Sequence, residues 1–419
     1  MERTGAKQAR IPHGVADLFF KEAAATTSLE LILHDLFLCW GYNRIIPPTF
    51  EYYDTLVTQA SPQLQEEMFR FFDREGQLLA LRPDMTVPTA RIVGGKLYDQ
   101  PMPLRFYYIG HVFRYEEPQA GKQREFTQAG IELIGADTAA ADAEVLALTI
   151  DTLHKMGLND FQINLGQIGF LAAILSEGKL ANGELRSLEQ AIDRRNDREL
   201  QRALADYGVP DAAARALRAI PHLCGDRQIL TEAMSLAFND GAKAALERLD
   251  EVYSILVRNG VAQHVILDLG EIRNMAYYTG IVYRGYLSGL GFPVCGGGRY
   301  DGLLANFGTN LPAVGFAISL ERAMSVTKLE VSIAPDLLMQ GCPHFECASL
   351  AAKARALGLY VEVDVLNRSE AELMVYARQR DARRILICAQ SPIYKLVEGD
   401  QERRLTLEQV AEEMTSWKR

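Results

Sequence analysis

The stretch Gln128-Ala-Gly130-Ile-Glu132 sets an amide and a carboxylate on either side of a glycine. The residues around it alternate as a strand does. By the period of two, Phe126, Gln128, Gly130 and Glu132 share one face, and Glu125, Thr127, Ala129 and Ile131 the other. The glycine leaves open space above a sheet between the two polar groups, and Arg114 stands at the end of the preceding apolar arm. A cation, an amide and a carboxylate around a glycine floor suit a small zwitterion with a phosphate beside it. The alternative is a surface hairpin whose charges are solvated. A second constellation, Arg82-Pro-Asp84-Met-Thr86, runs into a helix with Pro88 in its first turn. Asp and Thr at such a place are helix caps, unless Asp84 turns an anionic oxygen toward a ligand amine. Gly296-Gly-Gly298 reads as a glycine-rich turn, with the wrong spacing for a dinucleotide fingerprint. Cys342-Pro-His344-Phe-Glu-Cys347 mixes thiols and an imidazole but lacks a second ligand pair at zinc spacing, so no metal is expected.

These residues need elements to hold them. Residues 21–40 carry Leu29, Ile32, Leu33, Leu36 and Trp40 on one stripe, which predicts an amphipathic helix. Residues 42–51 read as a strand broken by Pro47 and Pro48, hence one at a sheet edge, where a second subunit can approach. A strand pair follows over 68–81, turning at 73–76, and then a long hairpin with arms 104–113 and 125–134 and a turn at 117–121. Ala143, Leu146, Ile150 and Leu153 predict a helix over 138–156, and a strand follows over 161–165. The pattern from 173 to 259 is almost wholly helical and interrupts a β-rich chain, which suggests an insertion rather than part of the sheet. Strands resume at 265–269, 280–287 and 292–296. Beyond a boundary near 328–332, strands over 336–340, 360–365 and 384–389 alternate with helices over 345–357 and 369–380, a compact α/β module.

Composition excludes several classes. With 419 residues, 48% hydrophobic and 23% charged, the chain suits two or three globular domains. A net charge of -10 argues against a broad nucleic-acid surface, which needs clustered Lys and Arg. The six cysteines, Cys39, Cys224, Cys295, Cys342, Cys347 and Cys388, are scattered and suit reduced thiols. Without an apolar leader or a membrane-length apolar run, a cytoplasmic protein is expected, with no membrane partner.

Three stretches, 37–51, 113–135 and 296–322, resemble the three motifs of class II aminoacyl-tRNA synthetases in order and separation, and the histidyl-tRNA synthetase version is the close match. Arg82-Pro-Asp-Met-Thr86 and Glu271-Ile-Arg273-Asn-Met-Ala-Tyr277-Tyr278-Thr-Gly280 resemble two elements particular to that enzyme. The resemblance covers nearly the whole chain. It implies an α+β fold: a class II synthetase-like antiparallel sheet flanked by helices, formed by 1–172 and 260–328, with a helical insertion at 173–259. The C-terminal α/β domain at 333–419 resembles the anticodon-binding domain.

Within this family the sequence looks more like the paralogues that serve as regulatory subunits of ATP phosphoribosyltransferase. Asn274-Met275-Ala276 follow Arg273 where the enzyme has Gly-Leu-Asp, which removes a carboxylate at the active-site wall. Glu117 and Lys122 stand where the enzyme has arginines, and His13 where it typically has another. The resemblance then implies a non-catalytic subunit with no cofactor, required for the first step of histidine biosynthesis and for its feedback inhibition by histidine. Its expected partners are a short-form catalytic subunit and free histidine, in a homodimer within a hetero-oligomer, and tRNA is not expected among them. Matching positions assign histidine binding to Asp84, Thr86, Gln128, Glu132, Arg273, Tyr277 and Tyr278. Asp84 and Gln128 take the α-amino group, Glu132 and Tyr278 the imidazole, and Arg273 the carboxylate. Asp84 replaces a glutamate of the enzyme and is shorter by one methylene. Arg124 is a further anion- or nucleotide-binding candidate beside Arg114 and Arg322, and Arg114, Arg273 and Arg322 match the positions that hold the α-phosphate and ATP in the enzyme, the alternative being ion pairs with Glu116, Asp301 or Glu321. Because these arginines persist, an active histidyl-tRNA synthetase stays open as the other reading. Loop 117–122 and the glycines 296–298 are the expected moving parts.

Overall fold

The computed structural model describes residues 10–58, 60–115, 123–176, 180–272, 278–327, 329, 331–390 and 393–417. Contacts divide the chain into two compact units, Met1–Leu329 and Glu330–Arg419.

The larger unit opens with helix α1 (Phe20–Cys39), which buries Leu29, Leu33, Leu36 and Phe37. The proline-broken run that follows divides between two sheets. Strand β1 (Asn43–Arg44) ends before Pro47 and Pro48, which have no N–H to give a ladder, and lies at the edge of the main sheet, parallel to a later strand. Strand β2 (Phe50–Tyr52) leaves for a small sheet with β3 (Arg70–Phe72) and β4 (Leu78–Leu81), in the order β2-β4-β3. Short helices α2 (Tyr53–Leu56) and α3 (Pro62–Glu66) lie between β2 and β3. Helix α4 (Thr86–Ile92) follows β4. Strands β5 (Leu104–Phe113) and β6 (Glu125–Ile134) then form the long hairpin, in register from Leu104 opposite Ile134 to Phe113 opposite Glu125.

Helix α5 (Ala139–Lys155) is capped by the Thr138 hydroxyl, which accepts from the Ala141 amide, and leads to β7 (Phe161–Gln167). Next come α6 (Ile168–Leu175), α7 (Asn182–Asp193), α8 (Asp197–Asp206), α9 (Asp211–Ala219), β8 (Cys224–Gly225), α10 (Ile229–Leu236) and α11 (Asp240–Arg258). Strands β9 (Val265–Asp268), β10 (Ile281–Leu287), β11 (Cys295–Arg299) and β12 (Ala313–Ser319) and helix α12 (Leu320–Met324) complete the unit. The nine-stranded sheet runs β1-β5-β6-β12-β11-β10-β7-β9-β8. It is antiparallel except for β1 with β5 and β7 with β9. The helical stretch therefore does give one short strand, β8, to the sheet edge.

One core joins the sheet to its helices. Ala129, Ile131 and Leu133 of β6 pack with Phe37 of α1, Leu146 and Ile150 of α5, and Leu246 and Leu249 of α11. Packing thus uses one face of β6 and leaves Gln128, Gly130 and Glu132 on the other. A buried ion cluster ties the same layers together. Arg299 of β11 donates from Nε and Nη2 to Asp142 of α5 at 2.9 and 2.6 Å, and Arg248 of α11 donates to the other oxygen of Asp142 at 2.9 Å.

The glycine run corrects the sequence reading: Gly296 to Gly298 are no turn but the middle of β11, paired to β10 on one side and β12 on the other. Their smallness serves close packing. A Cβ on Gly297 would lie 2.3 Å from the Gly315 carbonyl oxygen and 2.8 Å from the Tyr283 ring.

The smaller unit holds β13 (Leu337–Met339), α13 (Phe345–Ala356), β14 (Val361–Val363), α14 (Glu370–Gln379), β15 (Ile385–Gln390), β16 (Ile393–Glu398), β17 (Gln401–Thr406) and α15 (Leu407–Met414). Its sheet runs β14-β13-β15-β16-β17, parallel among the first three and antiparallel beyond. The sequence pattern missed the last hairpin because β17, Gln-Glu-Arg-Arg-Leu-Thr, is exposed along nearly its whole length and has no apolar alternation. Among the described residues no helix is long and apolar enough to cross a membrane.

Candidate functional site

Above the uncovered face of β6 lies a cavity of about 430 Å³, entirely within the larger unit. Gln128 and Glu132 are on its floor, and Asp84 and Thr86 come from the start of α4. Tyr278, Tyr300, Arg114 and Arg322 stand in its walls. The floor is low because glycine faces it from the neighbouring strand. Gly315 of β12 pairs with Glu132, and a Cβ there would overlap the carboxylate, at 1.8 Å from Oε2.

Glu132 is 1% exposed, with three hydroxyls around it. Tyr108 donates to Oε1 at 3.2 Å, Tyr300 donates to Oε2, and the Thr86 hydroxyl also reaches the carboxyl. Burial pushes the Glu132 carboxyl up to about 8, the hydroxyls hold it down in part, and the nearby charge of Asp84 adds to the rise. Asp84 has one oxygen committed, since Oδ1 accepts from the Thr86 and Val87 amides at 3.1 and 3.2 Å. Its carboxyl is also raised by burial, with Arg114 pulling the other way. So Asp84, one residue before the Met85 N-cap, serves the first amides of α4, while Thr86, expected as a cap or a ligand, turns its hydroxyl toward Glu132. Gln128 accepts the Met85 amide at 3.0 Å through Oε1. That bond fixes the side chain and leaves its NH2 as the donor it offers beyond.

The segment bearing Asp84 is held by a buried arginine. Arg82, 6% exposed, donates from Nε to the His111 carbonyl at 2.7 Å and from Nη1 to the Pro47 and Pro48 carbonyls at 2.7 and 3.1 Å. It thereby locks the β4–α4 connection against both the hairpin and the proline turn.

The cationic walls are set by stacking. Arg114 donates to the Pro83 carbonyl at 2.9 Å and lies over the Phe126 ring, 5.4 Å from its centre. Arg322 lies at the same distance from the Phe292 ring and donates to the Pro293 carbonyl at 3.3 Å. Of the acidic groups considered as ion-pair alternatives, Asp301 pairs with Arg299 at 3.0 Å and Glu321 accepts the Thr127 amide at 2.8 Å. Arg124 does not line the cavity: its guanidinium stacks on Tyr115 at 4.1 Å, and its amide donates to Gly14. Arg273 and Tyr277, with Asn274 to Ala276, lie outside the described residues, as do Glu116, Glu117 and Lys122. His13 is exposed.

Sequence reasoning missed Tyr108 and Tyr300, the hydroxyls that hold Glu132. Tyr108 was within reach, because the hairpin register sets it opposite Gly130, diagonal to Glu132. Tyr300 comes from the far side of β11 and needs the strand order to be known.

An antiparallel sheet carrying this cavity, framed by the hairpin, the strand before α12 and the α4 start, defines a class II aminoacyl-tRNA synthetase-like protein of the histidyl type, and the family model described as histidyl-tRNA synthetase matches residues 14–323. A histidyl-tRNA synthetase from Nostoc sp. PCC 7120 shares the fold, with a TM-score of 0.81 at 19% identity over 98% of this chain and 100% of that one. A structure described as an ATP phosphoribosyltransferase regulatory subunit/histidyl-tRNA synthetase from Bacillus halodurans has a TM-score of 0.82 at 30% identity, over 91% of this chain and 99% of that one. The ATP phosphoribosyltransferase regulatory subunit of Moorella thermoacetica is 39% identical over 88% of this chain and 96% of its own length. That of Syntrophotalea carbinolica is 35% identical over 94% and 95%. The chain belongs to the family of ATP phosphoribosyltransferase regulatory subunits.

Proposed function

We propose that this chain senses free histidine in the cavity and does no chemistry of its own, acting on a separate short-form catalytic subunit that condenses ATP with phosphoribosyl pyrophosphate. The name of its relatives, regulatory subunits of ATP phosphoribosyltransferase, supports the partner. The observation that carries the ligand is the pairing of Glu132, buried among hydroxyls, with Asp84 nearby. In this reading Glu132 and Tyr278 take the imidazole and Asp84 the ammonium. Gln128 donates through its NH2, and Arg273 meets the carboxylate. Glu132 near 8 is protonated at neutral pH and shares its proton with a neutral imidazole, whose ordinary value is about 6.5. Titration calorimetry on the chain and on Glu132→Ala tests this. The variant is expected to lose most of the affinity, and equal affinity removes Glu132 from the site.

The role without chemistry rests on the sequence at Glu117, whose charge would repel ATP or tRNA phosphates, and at Asn274 to Ala276, where a carboxylate of the enzyme's active-site wall is missing. We take 1–172 with 260–328 as the sensing core, 173–259 as an insertion and 333–419 as an appended domain. The second reading, an active histidyl-tRNA synthetase, is favoured by Arg114 and Arg322 in the cavity walls. ATP and pyrophosphate exchange in the presence of histidine separates the two: turnover at an enzymatic rate supports the synthetase.

A further inference from the structure

We propose that Cys342, His344, Cys347 and Cys388 form a zinc site in the smaller unit, independent of the cavity and of the function proposed for it. The Cys342 and Cys388 sulfurs and a ring nitrogen of His344 all lie within 4.8 Å of one another. The Cys347 thiol lies near both of these sulfurs. Three thiols and an imidazole are a soft, tetrahedral donor set of the kind that selects zinc. With Zn–S near 2.3 Å and Zn–N near 2.0 Å, ligand atoms stand about 3.5–3.8 Å apart, so closing Cys342, His344 and Cys388 on an ion asks for movements of about 1 Å, and Cys347, outside that group of three, turns its side chain further to complete the set.

The topology explains why this group was hidden in the sequence. Cys342 and His344 sit in the loop leaving β13, Cys347 in the first turn of α13, and Cys388 in β15, the parallel neighbour of β13. Spacing along the chain shows only the first three. The Gln340 amide donates to the Leu386 carbonyl at 2.8 Å, which keeps the two strands in step to the point where the ligands converge. The backbone amide of His344 donates to the Cys342 sulfur, and the Cys347 thiol donates to the Tyr394 hydroxyl at 4.0 Å. Four protein ligands make a closed site, hence a structural ion that pins the β13–α13 loop to β15. A disulfide would use two of the sulfurs and leave a thiol and the imidazole unexplained.

The test uses the full chain without a polyhistidine tag, reduced, stripped with a chelator and kept free of histidine. It is titrated with cobalt as a spectroscopic probe and with zinc against a chromophoric chelator. Expected are one metal per chain, thiolate-to-cobalt charge transfer, and the intense ligand-field bands of a tetrahedral centre. Cys342→Ser and Cys388→Ser should each lower the charge-transfer intensity, and the double variant should lower it further. His344→Ala, at an exposed position that leaves the core intact, should weaken zinc by at least about the 10- to 100-fold that loss of an outer-shell partner costs. Wild-type affinity equal to that of the Cys342→Ser/Cys388→Ser double variant overturns the proposal. A chain purified anaerobically with a disulfide among these cysteines and no metal overturns it as well.

Discussion

At the scale of the residue, Glu132 is the group on which the proposed sensing turns. Its folded value near 8 lies above its ordinary 4.5, so protonation favours the fold. That contribution is fully present below pH 4.5 and is lost as pH rises through 8, by at most about 5 kcal/mol. Glu132→Gln has no charge to bury. It should match the wild type in urea unfolding at pH 5 and exceed it at pH 9, and the same gap at both values contradicts the assignment. The proposed histidine binding has a matching signature. Between about 6.5 and 8 one proton is shared and none is exchanged with solvent. Outside that window affinity falls about tenfold per pH unit, because the complex must take up a proton above it or release one below it. Glu132→Gln should flatten the profile, and a variant as pH-dependent as the wild type would count against proton sharing.

At the scale of the element, the site is held by anchors that lie outside it. Asp142 holds Arg299 at the end of the glycine strand and Arg248 of α11 in one buried cluster. Removing one member leaves an uncompensated charge, so Asp142→Ala should cost the larger unit about 3–5 kcal/mol in denaturant unfolding. A loss under about 1 kcal/mol would mean that water reaches the cluster. Much of the scaffold was legible in the sequence for local reasons. Stripes at helical spacing marked α1 and α5, and the alternation of β6 put Gln128 and Glu132 on one face. What was illegible depends on neighbours in space. Gly296 to Gly298 look like a turn until strands on both sides require residues without side chains. Thr86 left the capping role expected of it because its hydroxyl faces a carboxylate from a distant strand. Cys388 joins Cys342 only through the pairing of β13 with β15.

At the scale of the whole molecule, the larger unit presents apolar side chains in the proline turn after the edge strand β1 and on the small sheet, where Ile46, Phe50, Tyr52 and Phe72 are exposed. Such a surface at an edge suits pairing across a two-fold axis. Sedimentation velocity at micromolar concentration should find a dimer, and a monodisperse monomer would contradict the homodimer. Regulation through the cavity requires that histidine bind one state of the assembly more tightly than another, since equal affinity shifts nothing. A coupling of about 1–3 kcal/mol corresponds to roughly 5- to 150-fold in a binding equilibrium. The most direct measurement is the rate at which a short-form catalytic subunit condenses ATP with phosphoribosyl pyrophosphate, with and without this chain, across a histidine titration. The account predicts that the chain raises the rate and that histidine lowers it only when the chain is present, with Glu132→Ala keeping the activation and losing the inhibition. The same rate and the same histidine response with and without the chain would contradict it.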